Sequence, residues 1–99
     1  MVSRSLVFIL ALGASALALA QDPDHARLLA ATCANCHGTD GRSQGGMPAL
    51  TGLASSRIVE QMQDFKSGKR TATIMHQLSR GYTDAEIDAL AGYFSALKN

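Results

Sequence analysis

Tryptophan is absent from the 99-residue chain, which has two cysteines, two prolines, two tyrosines and three phenylalanines. Phe8 sits in an N-terminal apolar run, so Phe65, Tyr82, Tyr93 and Phe94 are the aromatics left to build a core. That is thin material for a small domain, which usually needs a disulfide, a metal or a cofactor to hold it together. An excess of charge of one sign is missing too. Without Arg4 the cationic and anionic side chains balance. No basic run points to nucleic acid, and there is no acidic tail. Alternating polar and apolar residues, the mark of a half-buried strand, are not found, and no internal repeat appears.

What is there begins with an export signal. Arg4 supplies a positive charge, Leu6 to Leu19 are almost all apolar, and Ala18 and Ala20 form an A-x-A pattern before Gln21. This reads as a signal peptide over residues 1–20, cut after Ala20. The apolar run is shorter than the roughly 20 residues a membrane span needs. An uncleaved anchor is the alternative. Residues 21–99 then make a single domain that lies outside the cytoplasm, in the periplasm, with no membrane span.

The remaining pattern is helical. Asp22-Pro23-Asp24 looks like a helix start, and Ala26, Leu29, Ala30 and Cys33 follow at helical spacing. Gly38 to Gly52 reads as loop. Ser55 or Ser56 opens a second helix with Ile58, Val59, Met62 and Phe65 on its apolar face, and Gly68 stands where a C′ glycine belongs. Ala72 to Ser79 is a shorter helical piece ended by Gly81. Thr83 with Glu86 forms a capping box for the last helix, whose apolar face carries Ile87, Leu90, Ala91, Phe94 and Leu97. The expected fold is all-α, about four helices with long loops that need something central to pack on.

CANCH, residues 33–37, says what that something is. In an exported protein two cysteines would normally pair. A bridge closing so small a loop stabilises little, and a thioredoxin-like C-x-x-C wants a βαβ setting. Zinc would need four ligands; His25, His37 and His76 supply enough by count, but at the spacing of no common finger. The reading that uses every residue is a c-type haem attachment site. On a helical turn, positions i, i+3 and i+4 share a face. Cys33 and Cys36 can then bond the two vinyl groups along one porphyrin edge while His37 reaches the iron. The chain would carry one covalent haem c.

A second axial ligand is sought among Met47, Met62, Met75, His25 and His76. Met62 belongs to the apolar stripe of the middle helix. Met47 lies in the loop on the histidine side, and His25 lies two turns before Cys33. Met75 follows the second helix in a segment free to cover the other haem face, and His/Met pairs are common in haem proteins. A buried gap-filling methionine is the alternative for Met75, and His76 is its rival as ligand. His76 would point roughly 100° away on a helix and could equally be a solvent-exposed imidazole. A metal-bound histidine usually gives its other N–H to a fixed acceptor. The Pro48 carbonyl is the candidate, with a plain turn proline as the alternative. Arg57, Lys66, Lys69 and Arg70 form either a local basic patch for docking or an ordinary solvated face.

CANCHGTDG at 33–41, MPALTGL at 47–53, DFKSGKR at 64–70 and TIMHQLSRGYTDAEIDALAGYF at 73–94 together span almost all of residues 21–99. On these blocks the chain resembles class I c-type cytochromes, and more narrowly the haem domain of the cytochrome subunit of flavocytochrome c sulfide dehydrogenase and related periplasmic cytochromes. The resemblance implies His37 and Met75 as axial ligands, thioethers at Cys33 and Cys36, Pro48 as partner of the histidine, and a crossing of first and last helices near Tyr93 and Phe94. It implies electron transfer without catalysis, with a redox protein as partner. The first form of this is a cytochrome subunit accepting electrons from a flavin sulfide dehydrogenase. The second is a freely diffusing shuttle for another periplasmic dehydrogenase or a terminal oxidase. A third class, haem catalysis or gas binding, would need an open sixth position.

Overall fold

The computed structural model describes residues 23–98. The apolar N-terminal run, the expected cut after Ala20, and Asp22 of the expected helix start lie outside the described residues. Five helices follow in order: α1 Pro23–Ala31, α2 Ala34–His37, α3 Ser55–Ser67, α4 Met75–Leu78 and α5 Asp84–Ala96. Single 3₁₀ turns at Thr39–Gly41 and Ser79–Gly81 follow α2 and α4. Among the described residues there is no strand, and no helix is long and apolar enough to cross a membrane. The all-α expectation holds.

The longest helices start and stop where their side chains dictate. At the head of α5 the Thr83 N–H donates to Glu86 Oε1 at 2.9 Å, and the Glu86 N–H donates back to Thr83 Oγ1 at 3.1 Å. These two bonds satisfy donors the helix itself leaves open. They also hold the Glu86 carboxyl below its usual range, the Thr83 backbone bond contributing most. Gly68 ends α3 in the left-handed conformation, φ 82°, with its N–H on the Phe65 carbonyl. A side chain would resist that angle.

α5 is the centre of the packing and lies against both α1 and α3. The core is Ala30, Ile58, Leu90, Ala91 and Phe94, with Leu29, Leu50, Leu53, Met62, Tyr82, Tyr93 and Leu97 around it. Small residues bring α1 and α5 together: Ala26, Ala30 and Ala91 are all buried. The Phe94 ring meets the Tyr93 ring edge-on, centroids 5.3 Å apart, a favoured aromatic geometry. It also meets the backbone of Gly41. A Cβ placed on Gly41 would lie 2.9 Å from both Leu50 Cβ and Phe94 Cε1, and Gly41 has φ +73°. Glycine is required there twice over, for space and for backbone angle.

Two expectations differ from what is observed. The first helical stretch breaks after Ala31, because the Thr32 hydroxyl donates to the Leu29 carbonyl and the chain turns before α2. The fourth helix starts at Met75 rather than near Ala72. Ile74, at φ −138° and ψ −26°, lies in a bend and is not helical.

Candidate functional site

The turn between α1 and α2 orients the CANCH residues. The Cys33 carbonyl accepts from the Cys36 N–H at 3.2 Å and from the His37 N–H at 2.9 Å. Cys33, Cys36 and His37 are therefore fixed on one helical turn. Gly38 then takes φ +84°, where a Cβ would sit 2.7 Å from the Arg42 carbonyl oxygen. The chain leaves through the Thr39–Gly41 turn and returns as the loop that carries Met47 and Pro48. Leu50 N–H donates to the Gly41 carbonyl at 2.8 Å and Thr51 Oγ1 to the Asp40 carbonyl at 3.0 Å, which closes the loop.

That loop meets the histidine. His37 is buried, and its Nδ1 lies 2.6 Å from the Pro48 carbonyl oxygen. A carbonyl only accepts, so Nδ1 carries the proton and Nε2 keeps its lone pair. This is the orientation and tautomer a metal-binding imidazole needs.

A cavity of about 520 Å³ is lined by Cys33, Cys36, His37 and Met75 together, a volume within the roughly 300–1,000 Å³ of cofactor clefts. Ile58, Leu90 and Phe94 belong both to its wall and to the core. Of the five residues weighed as second ligand, Met47, Met62 and Met75 line the cavity, whereas His25 and His76 do not. His76 is half-buried, not exposed as one reading had it, and its buried Nδ1 has no hydrogen-bond partner among the described residues. Met47 is beside Pro48 and thus on the His37 side, and Met62 packs on the core from α3.

Cys36 is exposed and Cys33 half-buried, and the two are not bridged to each other. Burial pushes the Cys33 thiol up, opposed by the neighbouring Thr32 hydroxyl. Among the described residues no three His, Cys, Asp or Glu side chains are placed to share a metal ion.

Of the four cations considered for a docking patch, three have partners of their own. Lys66 donates to the Tyr82 carbonyl at 2.7 Å, Lys69 pairs with Asp64 at 3.9 Å, and the Arg70 guanidinium lies 4.9 Å above the Phe65 ring. Arg57 and Arg70 line the cavity, and no carboxylate does. The Lys69 and Arg70 contacts are local, each five residues back to the end of α3, whereas the Lys66–Tyr82 bond joins distant elements and has no signal in the sequence.

The profile of the cytochrome c family matches residues 26–98. The chain belongs to the cytochrome c family. It is 43% identical over 70 residues to the cytochrome subunit of sulfide dehydrogenase of Chlorobaculum tepidum, an alignment covering 71% of this chain and 64% of that one. It is 34% identical to cytochrome c-553 of Helicobacter pylori, over 91% of this chain and 96% of the relative. A solved cytochrome c4 from Acidithiobacillus ferrooxidans superposes with a TM-score of 0.63 at 37% identity, covering 66% of this chain and 38% of that one. The chain thus spans less than two thirds of the length of the sulfide dehydrogenase subunit and of the solved cytochrome c4.

This cytochrome c carries covalently bound haem c. The site fits the group: two unbridged cysteines one helical turn apart, an imidazole with a committed Nδ1, and a largely apolar cavity between them and Met75. Because the cavity wall is also the core wall, haem completes the core. The haem-free polypeptide is expected to be largely unfolded. Far-UV circular dichroism of apoprotein checks this, and a cooperative melt would contradict it.

Proposed function

We propose that this cytochrome c is an exported, periplasmic one-haem electron carrier with His37 and Met75 as its axial ligands, and that it serves as the cytochrome subunit of a flavin-containing sulfide dehydrogenase. The observation that carries the ligation is the His37–Pro48 hydrogen bond, which leaves Nε2 free at a cavity that Met75 also lines.

Each residue has a distinct task. Cys33 and Cys36 tether the group by thioether bonds, so a very small exported protein does not lose it. Pro48 holds the His37 ring in one orientation and makes it a better donor. Met75 offers a soft, neutral thioether, which favours Fe(II) and raises the potential above that of a bis-histidine site. Ile58, Leu90 and Phe94 keep water away and penalise the extra positive charge of the oxidised state. Arg57 and Arg70, the cations at the cavity, are suited to meet the two carboxylates of the porphyrin. Bound haem supplies a one-electron iron couple. With protein ligands on both axial positions no substrate reaches the metal, which separates this reading from catalysis and gas binding. Met47, Ile74 and Leu78 line the cavity and are 41%, 46% and 49% exposed. They form an apolar rim against which a redox partner could dock.

The sulfide dehydrogenase assignment is supported by the 43% identity to such a subunit. A second reading, a freely diffusing shuttle, is favoured by the match along 96% of a single short cytochrome c-553. The test is purification from the periplasm. Intact mass should equal residues 21–99 plus one haem, and a flavoprotein should co-purify and reduce the haem when sulfide is added. Bare polypeptide mass would remove the haem reading. Reduction by other donors, with no flavoprotein attached, would favour the shuttle.

A further inference from the structure

Tyr82 lies outside the cavity and has no part in the ligation just described, yet its polar groups reach two other elements. Its hydroxyl is 2.8 Å from Thr32 Oγ1. A hydroxyl has one proton to give, and that of Thr32 goes to the Leu29 carbonyl at 2.9 Å. The Tyr82 hydroxyl is therefore the donor, and Thr32 directly precedes Cys33. At its backbone end the Tyr82 carbonyl accepts from Lys66 Nζ at 2.7 Å. Lys66 is in turn held by Asp84 at 3.5 Å, whose Oδ1 also accepts from Gln63 at 2.8 Å. The Gln63 bond, then Lys66, keeps the Asp84 carboxyl below its usual range, so it is ionised at neutral pH.

The geometry points to Tyr82 as a positioning residue that ties the Met75 segment to α3 through its carbonyl and to the haem-attachment turn through its hydroxyl. The proposal rests on Met75 being the axial ligand. The α4 helix and the turn after it run from Met75 to Gly81, and Tyr82 fixes the far end of that piece. Four helical residues are too few to hold their own position. Upstream, the Arg70 N–H donates to the Asp64 carbonyl at 3.1 Å, a local bond that closes the turn ending α3 five residues before Met75. The segment is thus pinned at its far end by Tyr82. The Thr32 bond adds what α3 alone does not: a direct link between the side that presents Met75 and the turn that presents Cys33 and His37. Holding that separation keeps the thioether sulfur in reach of the iron.

The test uses ferric holoprotein and imidazole, a small ligand that must displace the sixth ligand to bind; binding is followed in the visible spectrum. Tyr82→Phe is expected to bind imidazole about threefold to tenfold more tightly than wild type, the scale of one lost hydrogen bond. Lys66→Met should shift affinity in the same direction. In a Met75→Ala background, Tyr82→Phe should change nothing, because no thioether remains to be positioned. General loosening of the fold would move both backgrounds alike, and that result overturns the proposal. So does wild-type affinity in both Tyr82→Phe and Lys66→Met. If Met75→Ala itself binds imidazole no more tightly than wild type, the ligation reading falls and the proposal with it. An affinity gain in Met75→Ala alone keeps the ligation and removes the tie.

Discussion

Met75→Ala should abolish the far-red thioether–iron absorption of the oxidised protein and lower its reduction potential. Each tenfold by which a ligand prefers Fe(II) over Fe(III) raises a one-electron potential by about 59 mV. A thioether with a preference of several decades therefore contributes on the order of 200 mV, a fraction of the roughly 0.8 V over which axial ligands set haem potentials. The replacement also leaves a gap in the cavity wall that water or a small anion can fill, which favours the oxidised state further. The fold should tolerate the change better than the site does. Met75 is half-buried and opens a helix of only four residues, with no buried residue of its own. Redox titration with a thermal melt of the same protein separates the two effects. A far-red band and potential equal to wild type would remove Met75 as ligand and turn attention to Met62, which lines the same cavity from α3.

How far the sequence alone reaches depends on whether the determining contact is local. The CANCH turn, the Thr83–Glu86 box and the Gly68 stop are set within four or five residues, and each is legible because its chemistry is contained in its own stretch. The break after α1 was not legible. Ala26, Leu29, Ala30 and Cys33 keep helical spacing, with no glycine or proline between them, and the helix yields to a side-chain bond from Thr32 to the backbone, a competition that threonine offers anywhere. Ala72 to Ser79 reads as a helical piece, but Thr71, Thr73 and Ile74 are β-branched, and the chain bends at Thr73 and Ile74 so that the helix begins only at Met75. Long-range pairing is the least visible. Lys66 looks like one cation among four in sequence; only the fold shows it bound to Tyr82 and Asp84, more than fifteen residues on. The same is true of Arg57 and Arg70, whose place at the cavity follows from α3 and the chain beyond it wrapping one wall.

Phe94→Ala is expected to cause the largest loss of stability of any single core change. Phe94 is 2% exposed and packs at once on the core, on the Tyr93 edge, on Gly41 and on the cavity wall. Removing a buried phenylalanine ring costs about 3–5 kcal/mol. At roughly 4–8 °C per kcal/mol for a domain of this size, the holoprotein should melt at least about 12 °C lower. Gly41 tells whether the loss comes from the ring contact or from burial in general. Gly41→Ala forces a methyl to within 2.9 Å of Phe94 and Leu50 at φ +73°, so overpacking and a left-handed alanine together cost about 2–4 kcal/mol. Once the ring is gone, half of that clash has no partner. The double variant should therefore be less destabilised than the two losses added, by about 0.5–3 kcal/mol of coupling. Strict additivity in thermal melts would mean that the helix crossing does not depend on Phe94 closing over the Gly41 backbone. The loop that delivers Pro48 to His37 would then owe its position to the Leu50–Gly41 and Thr51–Asp40 hydrogen bonds and to the Gly52 N–H donating to the Phe94 backbone carbonyl at 3.0 Å, none of which needs the ring.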